Sequence, residues 1–383
     1  MPCLNEADTL EVCIEKAKRG IAESGLNGEI IIADNGSTDT SVEIAENLGV
    51  RVIRVANRGY GSALMGGIEA ANGPYVMMGD ADDSYDWLEI PKFVRKLEEG
   101  YDLVQGCRFP SGGGTILPGA MPFLHRWWGN PMFSKLVRKW FKAPINDVYC
   151  GLRGFTKAHY LSLDQRCTGM EFATEMIIKS SLYRAKIAEV PITLHPDGRR
   201  SHAPHLKTFR DGWRTLRFFL MYSPRWLFLL PGIVFVLLGI IGYAVALPGV
   251  TISGLGSLGQ ITFDLHTLLF ASVFILCGSQ AIQFAIFTKI FAVTEGLHPE
   301  DPRMNRFFEI VNLERGLVFS SLLLAAGLVI LLIAVNDWRL TGFGRLDYAQ
   351  TMRWVIPGST MTALGVQTLF SSFFASVLGM KRK

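Results

Sequence analysis

Paired cysteines are what this sequence lacks first. Its six cysteines, Cys3, Cys13, Cys107, Cys150, Cys167 and Cys277, are scattered and form no C-x-x-C pair. That spacing argues against a zinc ribbon or a disulfide framework and reads as ordinary core thiols in a reducing compartment. No signal-peptide pattern is visible either. Met1 runs into Pro2-Cys3-Leu4-Asn5-Glu6 with no basic start and no apolar core, so the amino-terminal half is expected to stay in the cytoplasm. Charge is sparse: 19% of the 383 residues are charged and the formal net charge is +4. Mean hydropathy is +0.26, higher than a soluble domain averages, which predicts membrane segments. No dinucleotide fingerprint is present either. Arg58-Gly59-Tyr60-Gly61-Ser62-Ala63 is not G-x-G-x-x-G after a first strand. Its glycines serve either close backbone approach to a ligand at a helix start or a plain turn.

What is there divides sharply. Residues 1–225 look charged and globular, and residues 226–383 are mostly long apolar runs. The expected parts are a catalytic domain over 1–200, a basic amphipathic helix over 201–225 and a membrane domain over 226–383. In the helix, Leu206, Phe209, Trp213, Leu216 and Leu220 form one stripe, and Lys207, Arg210, Arg214 and Arg217 another. That pattern suits the headgroup layer of an anionic leaflet. Four spans are expected, at 226–247, 265–292, 316–335 and 354–380, each long enough to cross roughly 30 Å of hydrocarbon. The loop 248–264 has no Lys or Arg, the loop 293–315 has Arg303, Arg306 and Arg315, and the chain ends Lys381-Arg382-Lys383. The positive-inside rule then puts the globular half, the second loop and the carboxyl terminus in the cytoplasm, with Arg339 and Arg345 in mild dissent.

Within the globular half, helix and strand patterns alternate. Strands are expected at 29–33, 50–55, 75–78, 101–107, 152–156 and 187–194, with helices at 5–24, 41–48, 123–141 and 170–183. Ser37 or Thr38 is placed to cap the second helix. Such alternation predicts a mostly parallel sheet covered on both faces, with ligands at the carboxyl ends of its strands. Two acidic clusters fall at strand ends: Asp34-Asn35-Gly36-Ser37-Thr38-Asp39 and Asp80-Ala81-Asp82. Two carboxylates one residue apart can converge on one hard cation, Mg2+ or Mn2+, which prefers oxygen ligands and shares them with a diphosphate.

Together with Asn57-Arg58-Gly59-Tyr60-Gly61, Gly106-Cys107-Arg108, Asp147-Val148-Tyr149-Cys150-Gly151-Leu152-Arg153-Gly154-Phe155 and Glu189-Val190-Pro191-Ile192, these motifs resemble family 2 glycosyltransferases. The likeness is to the group of dolichol-phosphate mannose synthases and polyprenyl-phosphate glycosyltransferases, and it covers about residues 2–222. It implies a Rossmann-like α/β domain of the GT-A fold followed by an all-α membrane domain. It implies transfer of one sugar, glucose or mannose, from a UDP- or GDP-sugar to a polyprenyl or dolichyl phosphate, with inversion, on the cytoplasmic face of the cell membrane. Donor contacts are implied for Pro2, Leu4, Asn5, Glu6, Asp34, Asn35, Asp39, Gly61, Asp80, Ala81 and Asp82, with Asp80 and Asp82 holding the metal. Asp82 and Asp147 are the catalytic candidates. Asp147 could orient the acceptor, stabilise positive charge at the anomeric carbon or act as a base, or simply pair with Arg153. Arg108, Arg126, Arg199 and Arg200 are candidates for the acceptor phosphate, because guanidinium forks match phosphate oxygens. Other partners are the membrane and, compatibly, a second copy of the chain; no nucleic acid is expected.

Two rival readings stay open on the residues alone. Gln350-Thr351-Met352-Arg353-Trp354 has the form of the Q-x-x-R-W motif of processive polysaccharide synthases, although the expected topology puts it across the membrane from Asp80. A membrane scaffold that retains a nucleotide-binding fold is the other. Gln280, Gln283 and Lys289 inside the second span hint at translocation, and helix packing explains the glutamines equally well.

Overall fold

The structure is a computed structural model that describes residues 1–199, 208–253, 260–299 and 312–380. Arg200, Leu206, Lys207, Arg303, Arg306 and the terminal Lys381-Arg382-Lys383 lie outside the described residues. The chain forms two compact units, Met1–Phe219 and Leu220–Lys383.

In the first unit, β1 (Pro2–Cys3), β2 (Ile31–Asp34) and β3 (Arg51–Arg54) form a parallel sheet. The Ile31-Ile32-Ala33-Asp34 strand is buried along its length, as an unbroken apolar run requires of a strand covered on both faces. A second sheet has the order β4 (Tyr75–Met78), β7 (Arg153–Thr156), β5 (Leu103–Cys107), β8 (Ile187–Pro191). There β7 runs antiparallel to both neighbours, while β5 and β8 are parallel. The run 187–194 is two strands rather than one. Pro191 ends β8, and β9 (Thr193–Leu194) pairs with β6 (Thr115–Ile116) in a separate ribbon, since proline cannot continue donating to the ladder.

Helices α1 (Leu10–Ser24), α2 (Ser41–Asn47), α3 (Tyr60–Ala70) and α4 (Ile90–Glu98) connect and cover these strands. In α4, Ile90, Phe93, Val94 and Leu97 are buried, the i, i+3, i+4, i+7 spacing of one helical face. The cap of α2 differs from the sequence expectation. Thr40 stands at the N-cap and Asp39 accepts from the Ser41 N–H at 3.0 Å. Ser37 and Thr38 are drawn instead toward Asn5, which receives the Thr38 N–H at 2.8 Å. The expected helix over 123–141 is interrupted. His125–Gly129 is a wider π-type turn, and α5 (Asn130–Phe141) starts after it with Pro131 in its first turn, where a missing N–H costs nothing. Further on lie α6 (Lys157–Leu163), α7 (Phe172–Leu182) and α8 (Thr208–Tyr222).

Among the described residues, the second unit contains four apolar helices, Arg225–Ala246, Leu265–Thr294, Leu313–Leu340 and Tyr348–Gly379, long enough to cross a membrane. Gly232 packs against Gly278, and Gly327 against Gly358, small residues that let helix backbones approach. Polar side chains inside the bundle are used for packing: Ser371 donates to Gln283 at 2.7 Å and Ser279 to Gln367 at 3.4 Å. Arg353 donates to the carbonyls of Ala246 and Leu247 and to Asp264 at 2.6 Å. The arginine of Gln350-Thr351-Met352-Arg353-Trp354 therefore clamps the ends of the first two spans.

Candidate active site

The carboxyl ends of β1 and β2 carry one cluster. Asn5 takes a left-handed conformation, φ 60°, which asparagine tolerates better than most residues. Its amide N–H donates to the Ser37 hydroxyl at 3.0 Å. The Asp34 carboxylate accepts from the Gly36 and Ser37 N–H groups at 3.2 and 3.1 Å. Asn35 spans to the next strand end: its side chain donates to Val55 and Asn57 carbonyls and accepts from the Gly59 N–H at 2.7 Å. Asp39 accepts from Ala7 N–H at 3.1 Å. Burial would raise its pKa, but the hydrogen bonds from Ser41 and Ala7 hold it below the usual carboxylate value. Pro2 lies in β1 opposite Ala33, and Leu4 is exposed.

Asp80-Ala81-Asp82 turns away from the end of β4. Asp80 accepts from the Tyr60 hydroxyl at 2.9 Å. Burial, then the charge of Asp82, pushes its pKa up to about 7, against the pull of Tyr60 and Arg199. One Asp82 oxygen accepts from the Ser84 N–H at 3.1 Å and its hydroxyl at 2.6 Å. The Ala81 carbonyl accepts from the buried Thr9 hydroxyl at 2.6 Å, which anchors the turn to the start of α1. Arg199 joins both clusters: it forks onto Glu6 at 2.7 and 2.8 Å and lies 3.2 Å from Asp82.

Behind the turn, Asp147 is fully buried and pairs with Arg108, Nε at 2.7 Å and Nη2 at 2.8 Å. Its partner is not Arg153. That guanidinium, also fully buried, donates to the carbonyls of Cys150, Val148 and Ala173 and so pins the loop 147–151 from below. Glu189 holds the same loop, accepting from the Asn146 and Asp147 N–H groups at 2.6 and 2.9 Å. Arg126 lies apart on the His125–Gly129 turn, over the Trp127 ring at 5.6 Å.

Two glycines are required by close approach. A Cβ on Gly61 would come within 2.5 Å of the Cys167 carbonyl, at the loop 167–169 that crosses the start of α3. One on Gly151 would meet Asp80 Oδ2 at 2.9 Å and the Tyr85 ring at 3.0 Å, so Gly151 is where the Asp147 loop touches the acidic turn. Gly151→Ala is expected to lower transfer about tenfold or more and to cost some stability as well, because it crowds both the Asp80 carboxylate and the buried Tyr85 ring, with the loss of rate exceeding what lost folded protein explains. Equal losses of rate and stability would show the contact to be only structural.

Sequence reasoning missed Tyr60, Ser84, Thr9 and Glu189 as site neighbours. Tyr60 and Glu189 stand inside quoted motifs, but a motif does not say which carboxylate a hydroxyl will meet.

The description "Glycosyl transferase family 2" matches residues 1–161, and "Glycosyltransferase family 2 C-terminal transmembrane region" matches 286–379. The low-salt glycan biosynthesis hexosyltransferase Agl6 of Haloferax volcanii is 34% identical over 381 residues, 99% of this chain and 88% of that protein. The chain belongs to glycosyltransferase family 2. Within the family it is also 33% identical over 186 residues to the dolichyl-phosphate hexose transferase of the same organism, 48% of this chain and 76% of that one. Among solved structures, glucosyl-3-phosphoglycerate synthase from Mycobacterium tuberculosis, in complex with Mn2+, UDP and phosphoglyceric acid, is similar with TM-score 0.46 and 22% identity, over 57% of this chain and 75% of that one. The α/β domain and, among the described residues, the four apolar helices belong to a membrane-associated family 2 glycosyltransferase.

Proposed function

We propose that this glycosyltransferase moves one hexose, glucose or mannose, from a UDP- or GDP-sugar to a polyprenyl or dolichyl phosphate, with inversion. The observation that carries the reading is the joining of two clusters at the strand ends. Glu6, beside Asn5, Asp34 and Asp39, is tied through Arg199 to Asp82, and Asp80 to Tyr60 at the start of α3. A nucleoside fits against the first cluster and its diphosphate against the second. The dolichyl-phosphate hexose transferase relative supports the acceptor class.

The acidic turn suits a divalent cation. Asp80 and Asp82 offer hard oxygens, and a bound cation would relieve both the burial and the neighbouring Asp82 charge that raise the pKa of Asp80. Mg2+ or Mn2+ held there would neutralise charge on the departing diphosphate. Pro2, Leu4, Asn35, Gly61 and Ala81 are assigned to shaping the donor site through backbone and loop contacts.

The acceptor is a phosphate monoester, ionised at neutral pH, so its oxygen attacks the anomeric carbon without a strong base. Asp147 is then a positioning group: it engages Nε and Nη2 of Arg108 and aims the guanidinium so that Nη1 can meet a phosphate oxygen. Arg126 and Arg199 are the further phosphate candidates among the described residues. The lipid tail has a surface to meet. Phe123, Leu124, Trp127 and Trp128 are more than half exposed beside Arg126, an aromatic and basic patch suited to a bilayer interface. An even number of spans, with basic residues flanking the same end, supports a cytoplasmic catalytic domain in the cell membrane.

The test is a panel of UDP- and GDP-sugars with Mn2+ and a polyprenyl phosphate, read as lipid-extractable sugar. Transfer from one donor is expected. If no donor in the panel gives lipid-linked sugar, the reading is wrong. The double variant W127A/W128A is expected to raise KM about tenfold for a long-chain acceptor and little for a short, soluble one. Equal effects on both acceptors would remove the patch from the lipid path.

A further inference from the structure

We infer that Arg199 is the resident counter-ion of the Asp82 carboxylate, and that a divalent cation binds there by displacing it. The inference rests on reading Asp80 and Asp82 as cation-binding carboxylates.

Arg199 is placed there by the backbone. Leu194 bridges to Tyr85, the His195 N–H donates to the Ser84 backbone carbonyl at 2.9 Å and the Gly198 N–H to the Asp82 backbone carbonyl at 3.0 Å. The segment 194–199 therefore runs beside the acidic turn and delivers the guanidinium to it. A Cβ on Gly198 would meet Thr9 Cγ2 at 2.9 Å, so the approach is close.

Three of the four carboxylate oxygens of the acidic turn are then engaged. Asp82 Oδ1 is taken by Ser84, Oδ2 by Arg199, and Asp80 Oδ1 by Tyr60. A cation bridging the two carboxylates must take Oδ2 of Asp82 from Arg199, because two positive charges a few Å apart repel strongly in a partly buried site. The Arg199 side chain is 12% exposed, so water screens that repulsion poorly. The geometry also gives the guanidinium somewhere to stay. Its contact with Asp82, 3.2 Å, is longer than its contacts with Glu6, 2.7 and 2.8 Å, and with Asp197, 3.0 Å. The weakest of its contacts is the one that the cation replaces. Arg199 thus balances the acidic pair while the donor site is empty.

The test is donor-free Mn2+ binding to the purified full-length enzyme in detergent, followed by the electron paramagnetic resonance signal of free Mn2+. Arg199→Met, which keeps length without charge, is expected to tighten binding about tenfold or more. Arg199→Lys, which keeps the charge, is expected to stay within about threefold of the parent. Lys16 is the control, because it pairs with Asp83 at 2.7 Å, next in sequence to Asp82. Lys16→Met is expected to change affinity less than about twofold. If Arg199→Met leaves affinity unchanged or weaker, or Lys16→Met tightens it as much, the displacement is overturned. Asp82→Asn separates the two levels. If it leaves Mn2+ binding unaltered, the cation-site reading fails. If it removes binding while Arg199→Met does not tighten it, only the counter-ion inference fails.

Discussion

Asp82→Asn is expected to lower sugar transfer by about a hundredfold to a thousandfold while the protein inserts and folds as before. The size follows from the place of the carboxylate. A group that helps to neutralise charge developing on a leaving diphosphate acts mainly in the transition state, where one such interaction contributes about 3–4 kcal/mol. The fold should tolerate the change. Asparagine keeps an oxygen to accept from Ser84, which Asp82 does at 3.1 and 2.6 Å, and the Asp82 side chain retains some access to solvent. Initial rates of lipid-linked sugar formation, with thermal unfolding of the same preparation, check both halves. A variant with near-normal rates would remove Asp82 from the chemistry.

Arg108→Ala is expected to have the largest effect on folding. Arg108 is 6% exposed and Asp147 is fully buried. Deleting one partner strands the other charge, which typically costs about 3–5 kcal/mol. Asp147 also receives the Arg108 N–H at 3.1 Å, so its carboxylate keeps only part of its satisfaction. The double replacement R108M/D147L removes both charges and should recover most of that loss, since an apolar pair of similar volume often matches a buried ion pair. Transfer should remain absent in the double variant if Arg108 meets the acceptor phosphate. Recovery of both stability and transfer would show the pair to be scaffolding. Denaturant unfolding of the membrane-extracted enzyme, alongside acceptor KM and kcat, separates the outcomes.

Much of the fold was legible because its signals are local. The buried run Ile31-Ile32-Ala33 and the apolar spacing of Leu10, Ile14 and Ala17 in α1 each state their own period, whereas α4 was not read from the sequence. The four spans were legible from length and hydropathy, with ends shifted by at most six residues, since helix ends depend on caps such as Asp347 accepting from the Gln350 N–H. The strand pairing was less legible. Nothing in Arg153-Gly154-Phe155-Thr156 says that it inserts antiparallel between β4 and β5, because direction is set by partners more than 45 residues away. The single strand expected over 187–194 broke at Pro191 for a reason the sequence did contain.

The acidic turns and their strand-end positions were determined by the sequence alone, because a carboxylate pair after an apolar run is a contiguous pattern. So was membership of the glycosyltransferase family, carried by ordered short motifs. The tertiary structure alone decided which charges face which. Asp147 took Arg108 rather than Arg153, Tyr60 met Asp80, and Arg199 met both Glu6 and Asp82 across sequence separations of 193 and 117. Ion pairing falls off steeply with distance and depends on burial, and neither quantity exists until the strands have brought distant turns to one edge.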